Sequence, residues 1–144
     1  FCSLLFQLQS SNIEFLLLKR CPIKGNFWQP PCGSRENFDK TLLDAAFREL
    51  HEETGIKKKD ILQIQSGIDH YTIKRHYITL EPIEPIQESV YLFQVFANVG
   101  IDINGNHDKE HIKWVWVSYQ KAIKLLYWQE NKNALKKAYY FITS

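Results

Sequence analysis

Glu49, Glu52 and Glu53 stand at relative positions i, i+3 and i+4 of a stretch that reads as a helix. At about 100° per residue they fall on one helical face. Like charges at these spacings repel, at roughly 0.2–0.5 kcal/mol per pair. Glu52 and Glu53 also sit in the last turn, where the helix macrodipole favours cations, at a further cost of roughly 0.3–1 kcal/mol each. A sequence tuned only for stability would place lysine there. A bound divalent cation resolves both problems. Carboxylates converging from one face, with positions left for water and phosphate oxygens, suit Mg²⁺ or Mn²⁺. The plain alternative is a solvated acidic face. Arg48 directly before, Gly55 directly after and a glycine-containing loop directly ahead tip the balance towards a metal site.

The helix that carries these carboxylates is expected over Leu42–Thr54. Thr41 caps it with Asp44 three residues on, and Gly55 ends it in the αL position. Leu43, Ala46, Phe47 and Leu50 form its apolar stripe. Ahead of it, residues 3–8 and 14–19 flank Gln9-Ser10-Ser11-Asn12 as a hairpin. Phe15-Leu16-Leu17-Leu18 is a near-continuous apolar run, expected to be buried on both faces. Residues 22–40 form a proline- and glycine-bearing loop with a short extended piece at Phe27-Trp28-Gln29. Strand-like stretches follow at Ile61–Gln65, Tyr71–Leu80 and Ser89–Val99, with Pro82 and Pro85 expected to break the connection between the last two. Gly100–Asp108 reads as a polar loop and Ile112–Val117 as a strand. Ser118 caps a helix through Leu126, and a last helix runs over Asn131–Ile142. Strands and helices mix without strict βαβ alternation, so the class is α+β or a mixed-sheet α/β sandwich.

At 144 residues and 44% hydrophobic, the chain is expected to be a single domain, 1–144, with a sizeable core. Eighteen basic and sixteen acidic residues give a net charge of +2, too little for a nucleic-acid binder by field alone. No apolar run reaches the length of a membrane span. Cys2, Cys21 and Cys32 form no CxxC pair and are expected to be reduced thiols of a cytoplasmic protein. A zinc site from Cys21, Cys32, His107 and His111 is disfavoured, because no two cysteines have close metal-ligand spacing.

Arg48-Glu49-Leu50-His51-Glu52-Glu53-Thr54-Gly55-Ile56 resembles the second half of the Nudix box, GX5EX7REUXEEXGU, and matches every fixed position of that half. The first half departs from it. Counting back from Arg48, the glycine would fall on Ser34 and the glutamate on Lys40. Gly33 and Asp39 match better, with one residue inserted before the helix. An Asp39–Arg48 pair then replaces the family's glutamate–arginine pair, with Glu36 as the other candidate. Glu110-His111 ahead of Lys113-Trp114 is similar to the loop-then-strand that supplies a further glutamate in the family. Trp128–Leu135 is similar to the last helix of bacterial dihydroneopterin triphosphate and deoxynucleotide pyrophosphohydrolases.

The resemblance implies an α/β/α sandwich with a mixed sheet. It also implies Mg²⁺-dependent, or Mn²⁺-dependent, hydrolysis of a nucleoside or dihydroneopterin triphosphate to the monophosphate and pyrophosphate. Carried over residue by residue, Glu49 and Glu53 hold the metals, with Glu52, the Gly33 carbonyl and Glu110 as further ligands. Arg48 orients a glutamate. Glu110 is an additional ligand or the general base, and Glu52, Glu53, Arg48 and Glu110 make up the catalytic set. Arg35 and Arg20 are candidates for substrate phosphates. Trp28 and Tyr71 are candidates for stacking a base or pterin ring. Trp114 and Trp116 share a sheet face and read as core. The expected partner is a small-molecule nucleotide or pterin phosphate, with no membrane and no nucleic acid, for a monomer or homodimer. The alternatives are dinucleoside polyphosphate hydrolysis, weakly supported by the position of Tyr71, and a non-catalytic nucleotide-binding module, suggested by the altered first half of the box.

Overall fold

The computed structural model describes residues 1–105 and 109–144; Asn106, His107 and Asp108, part of the expected polar loop, lie outside the described residues. The elements run β1 (Cys2–Gln9), β2 (Asn12–Arg20), β3 (Trp28–Gln29), α1 (Leu42–Thr54), β4 (Ile61–Arg75), β5 (Pro82–Val95), β6 (His111–Ser118), α2 (Tyr119–Leu125) and α3 (Gln129–Thr143). The six strands form one mixed sheet in the order β3-β2-β1-β5-β4, with β6 along β2. β1 runs parallel to β5 and antiparallel to β2. The fold is the expected mixed-sheet α+β class.

Alternation along β1 and β2 explains the three layers. Leu4, Phe6, Phe15 and Leu17 join a core cluster with Ala122, Leu126, Ala134, Leu135 and Ala138 of the α2–α3 region. Leu5, Leu16 and Leu18 point the other way, into a cluster with Ala45, Ala46 and Leu50 of α1 and Phe93 of β5. The apolar run Phe15–Leu18 is therefore buried on both faces, as a period of two requires. α1 has the expected bounds, with Thr41 Oγ1 accepting from the Asp44 N–H at 3.1 Å. Its buried stripe is shifted slightly. Ala45 is fully covered beside Ala46 and Leu50, while Leu43 and Phe47 flank it half-buried.

The stretches Ile61–Gln65 and Tyr71–Leu80, expected as two strands, form the single strand β4, which ends at Arg75. Three further expectations need correction. Pro82 and Pro85 do not break the strand; both lie within β5, which forms a long hairpin with β4. β5 meets β1 only over Val90–Gln94, so the prolines occupy a stretch with one strand neighbour, where a missing N–H is tolerated. Trp114 is 43% exposed rather than core, because β6 is a marginal strand paired with β2 alone; Trp116, on the same face, does pack against the α1-side cluster. Cys2 and Cys32 are not free thiols but a disulfide across an antiparallel bridge, leaving Cys21 as the free cysteine. Pairing β3 beside β2 brings the loop after it against the start of β1, where the Ser3 N–H donates to Pro31 O at 2.8 Å. A 30-residue separation gives no sign of that contact. The disulfide also removes the ground on which the redox compartment was read. None of the described helices is long and apolar enough to cross a membrane.

Leu50 is the largest side chain that α1 buries, at 1% exposure. Leu50→Ala is expected to lower stability by about 2–5 kcal/mol, with a matching fall in the thermal midpoint. A loss below about 1 kcal/mol in a denaturant titration would show that α1 does not depend on this contact.

Candidate active site

The site forms where the C-terminal half of α1 meets the ends of β2, β3 and β6. α1 is fixed at that end by three contacts. The Gly55 N–H donates to His51 O at 2.9 Å, Thr54 Oγ1 donates to Leu50 O at 2.7 Å, and the Asp102 N–H donates to Thr54 O at 2.8 Å. The three helix glutamates then have different environments. Glu53 is 2% exposed, Glu49 is half-buried, and Glu52 is exposed.

Arg48 organises the outer part. Its guanidinium grips Asp39 through Nη2–Oδ2 at 2.8 Å and Nε–Oδ1 at 3.1 Å. It also donates to Glu49 Oε1 at 3.2 Å, Glu52 Oε2 at 3.4 Å and Ser34 O at 3.1 Å. The shorter acid and the extra residue therefore still close the pair expected of the box. Glu36 takes no part in it through its side chain; its backbone N–H donates to Asp39 Oδ2 at 2.8 Å. Arg48 holds the Asp39 carboxyl below the usual carboxylate range, and Asp39 in turn raises the Arg48 guanidinium.

Gly33 lets Glu49 into place. A Cβ on Gly33 would lie 2.6 Å from Glu49 Cγ, a distance that no packed side chain tolerates. Its carbonyl accepts from the Phe1 nitrogen at 2.9 Å, which leaves one lone pair for a metal.

Glu53 faces inward to Glu110 and His111, and one donor atom from each of the three lies within 4.8 Å of the others. Burial first, then Glu49 and Glu110, push the Glu53 carboxyl well above its ordinary value. Burial and Glu52 raise Glu49 against the opposing pull of Arg48. Burial, with Arg20 and Lys24, lowers His111 to about 4, so its imidazole is neutral at pH 7. Arg20 and Lys24 lie 3.8 and 4.0 Å from the Glu110 carboxylate.

The structure separates the remaining candidates. Arg20 stands at the site, stacked under the Tyr77 ring at 4.7 Å, with its Nε donating to Lys24 O at 2.6 Å. Arg35 is turned to the backbone ahead of α1, donating to Asp39 O at 3.1 Å and Lys40 O at 2.7 Å. Trp28 and Tyr71 pack against the cluster on the α2–α3 face. The Tyr71 hydroxyl donates to Cys2 Sγ at 3.6 Å and accepts from Asn131 Nδ2 at 3.4 Å. His111 and Gln29, in contact at 3.0 Å, were not expected in the site. Strict alternation along β6 would put His111 on the face of Val115 and Val117, away from α1. A register shift at Lys19/Arg20 sets it opposite Arg20 instead. Among the zinc ligands considered, Cys32 is held in the disulfide and His107 lies outside the described residues.

A divalent cation fits what is present. Glu53 Oε2 is buried and has no hydrogen-bond partner among the described residues, a cost of about 1–3 kcal/mol that a cation would remove. Four carboxylates, Glu49, Glu52, Glu53 and Glu110, collect around it. The residues that would hold a cation are Glu53, Glu49 and Glu110, with Glu52 outermost.

The mixed sheet places an acidic helix end, with a candidate cation-holding cluster, at its strand termini. The NUDIX domain family model matches residues 3–138, and the chain belongs to that family; it is a Nudix pyrophosphohydrolase. An RNA pyrophosphohydrolase of Francisella tularensis subsp. mediasiatica is 30% identical over 119 residues, covering 79% of this chain and 76% of that one. The C. elegans Ap4A hydrolase binary complex has a TM-score of 0.78 at 22% identity, covering 99% of this chain and 95% of that one. The E. coli dihydroneopterin triphosphate pyrophosphohydrolase has a TM-score of 0.72 at 21% identity, covering 94% and 91%.

Glu53→Gln is expected to stabilise the protein in chelator at neutral pH, by about 1 kcal/mol or more. The sign follows from linkage. As pH rises above the ordinary carboxylate range, the unfolded chain releases a proton that folded Glu53 keeps, so wild-type stability falls until the raised value is passed. The gain should therefore shrink as the pH is lowered into the carboxylate range. Asp39 acts in the opposite sense, contributing stability that is lost only as pH falls through its lowered value. Thermal melts of both proteins from pH 4 to 8 test this, and an equal or lower midpoint for the variant at pH 7–8 would contradict it.

Proposed function

We propose that the chain uses a divalent cation, Mg²⁺ or Mn²⁺, to release pyrophosphate from the 5′-triphosphate group of a nucleotide. The observation that carries this reading is the buried, unpartnered Glu53 carboxylate set against Glu110, with Glu49 beside it. The bound cation would neutralise phosphate oxygens and make the phosphorus more open to attack. The chain's own residues supply the rest. Asp39 holds Arg48, and Arg48 holds Glu49 and Glu52 at their angle on the helix. Arg20 stands beside the carboxylates as the cation for a substrate phosphate. A water oxygen bonds to phosphorus, the bridging P–O bond breaks, and pyrophosphate leaves. The water's proton passes to Glu110 or Glu52, the carboxylates more open to solvent than Glu53. Trp28 and Tyr71, packed against the core on the other sheet face, are given no part in this step.

The likeness to the Francisella RNA pyrophosphohydrolase supports a second reading, in which the triphosphate belongs to the 5′ end of an RNA. On that reading the partner is a nucleic acid, against the expectation from net charge. The Ap4A hydrolase likeness keeps dinucleoside polyphosphates among the compounds to test.

The deciding assay compares 5′-triphosphorylated RNA, nucleoside triphosphates, dihydroneopterin triphosphate, Ap4A and ADP-ribose, each with Mg²⁺ and with chelator. Pyrophosphate release that requires Mg²⁺ and falls at least about a hundredfold in Glu53→Gln is expected. RNA preferred over free nucleotides would select the second reading. Cleavage indifferent to both chelator and the substitution would overturn the proposal.

A further inference from the structure

We propose that His111 contributes a ring nitrogen to the cation held by Glu53 and Glu110, so that this position selects first-row transition ions over Mg²⁺. The inference rests on the reading of Glu53 and Glu110 as metal-holding residues and goes beyond it in naming a nitrogen donor.

Three elements deliver the donors. Glu53 comes from the last turn of α1, Glu110 from the loop before β6, and His111 from the first residue of β6. Their donor atoms lie within 4.8 Å of one another, close enough for one ion at ordinary bond lengths of about 2.0–2.2 Å after small rotations. Glu53 Oε2 is buried without a partner among the described residues, and His111 is itself 6% exposed. Two buried polar side chains from different elements, one of them orphaned, are aimed at the same point.

The backbone positions His111 deliberately. Directly opposed residues in a ladder share a face, so Arg20 sets the face of His111, and Leu18 sets that of Gln29. Leu18 belongs to the α1-side cluster, and Arg20, two residues on, shares its side. The irregularity between Lys19 and Arg20 thus turns the imidazole towards Glu53 against the alternation of the rest of β6.

Gln29 provides the outer contact that a metal-bound histidine usually has. Its amide nitrogen lies 3.0 Å from His111 Nε2; with the amide flipped by 180°, its oxygen would accept the Nε2 proton and leave Nδ1 with the lone pair. Arg20 and Lys24 stand near Glu110 and oppose a cation, but Glu49, Glu53 and Glu110 together outweigh them. Imidazole is a poor ligand for Mg²⁺, which prefers oxygen, and a better one along the first-row series, weakest for Mn²⁺ and stronger for Co²⁺ and Zn²⁺.

The test uses the whole chain loaded with Mn²⁺ or Co²⁺, without substrate. Pulsed electron paramagnetic resonance of the Mn²⁺ protein should show coupling to a directly bound nitrogen, a readout that needs no variant. Calorimetric titration should show His111→Gln and His111→Asn losing Co²⁺ affinity by about tenfold or more, while Mg²⁺ affinity changes by less than about threefold. Mn²⁺ bound without a nitrogen coupling, or equal losses for Co²⁺ and Mg²⁺ in correctly folded variants, would overturn the inference and leave the carboxylate site standing. Failure of the wild-type chain to bind Mn²⁺ at all would overturn both.

Discussion

The structure depends on keeping several negative charges together in a place that would otherwise expel them. Glu53 is buried at the wrong end of a helix dipole, next to Glu49 and Glu110, and without a hydrogen bond on one oxygen. Left alone, that arrangement weakens α1. The helix survives because its other side is anchored in the core through Ala45, Ala46 and Leu50, and because both ends are capped. Apolar burial on one side sustains electrostatic strain on the other. Carboxylates retained in this manner are a sign of chemistry rather than of packing.

Arg48 divides the site in two. On its side, Asp39, Glu49 and Glu52 are all within reach of one guanidinium, which offsets part of their charge. On the other side, Glu53 forms no ion pair among the described residues, and Arg20 offsets only part of the cost of its burial. The altered first half of the box bears on the first group only. Asp39 is one methylene shorter than the residue it replaces, and the inserted residue lets the loop close the distance, with Arg35 bridging the carbonyls of Asp39 and Lys40. The departure in sequence is thus absorbed locally, and the inner group of Glu53, Glu110 and His111 is untouched by it.

Much of this was legible in the residue order. The Leu42–Thr54 helix, its two caps and the doubly buried Phe15–Leu18 strand follow from short-range periodicity and capping chemistry, which neighbours in sequence carry. Glu49 and Glu53 were singled out from their shared helical face and the box resemblance, and Glu110 from the resemblance of the loop ahead of β6. What escaped depends on pairing between distant strands. The Cys2–Cys32 disulfide exists because β3 lies beside β2. Pro82 and Pro85 fit within β5 because β1 is too short to reach them. His111 enters the site through one irregular step in the β2–β6 ladder, and alternation alone points it the opposite way. Local pattern locates elements and charges; register decides which of them meet.

The parallel pairing of β1 with β5 has a consequence for how the chain acquires its form. The surface on which α1 rests includes Tyr91, Phe93 and Val95, some forty residues beyond the helix, and these are joined to Leu5 and Leu16 from its other side in sequence. During synthesis, a helix ending in repelling glutamates emerges well before half of its seat exists. Contacts of such separation form late and slowly, since loop closure comes before any return from burial. The seat of α1 is therefore complete only once β5 has been made, and until then the nascent chain carries its apolar stripe without half of the surface that covers it.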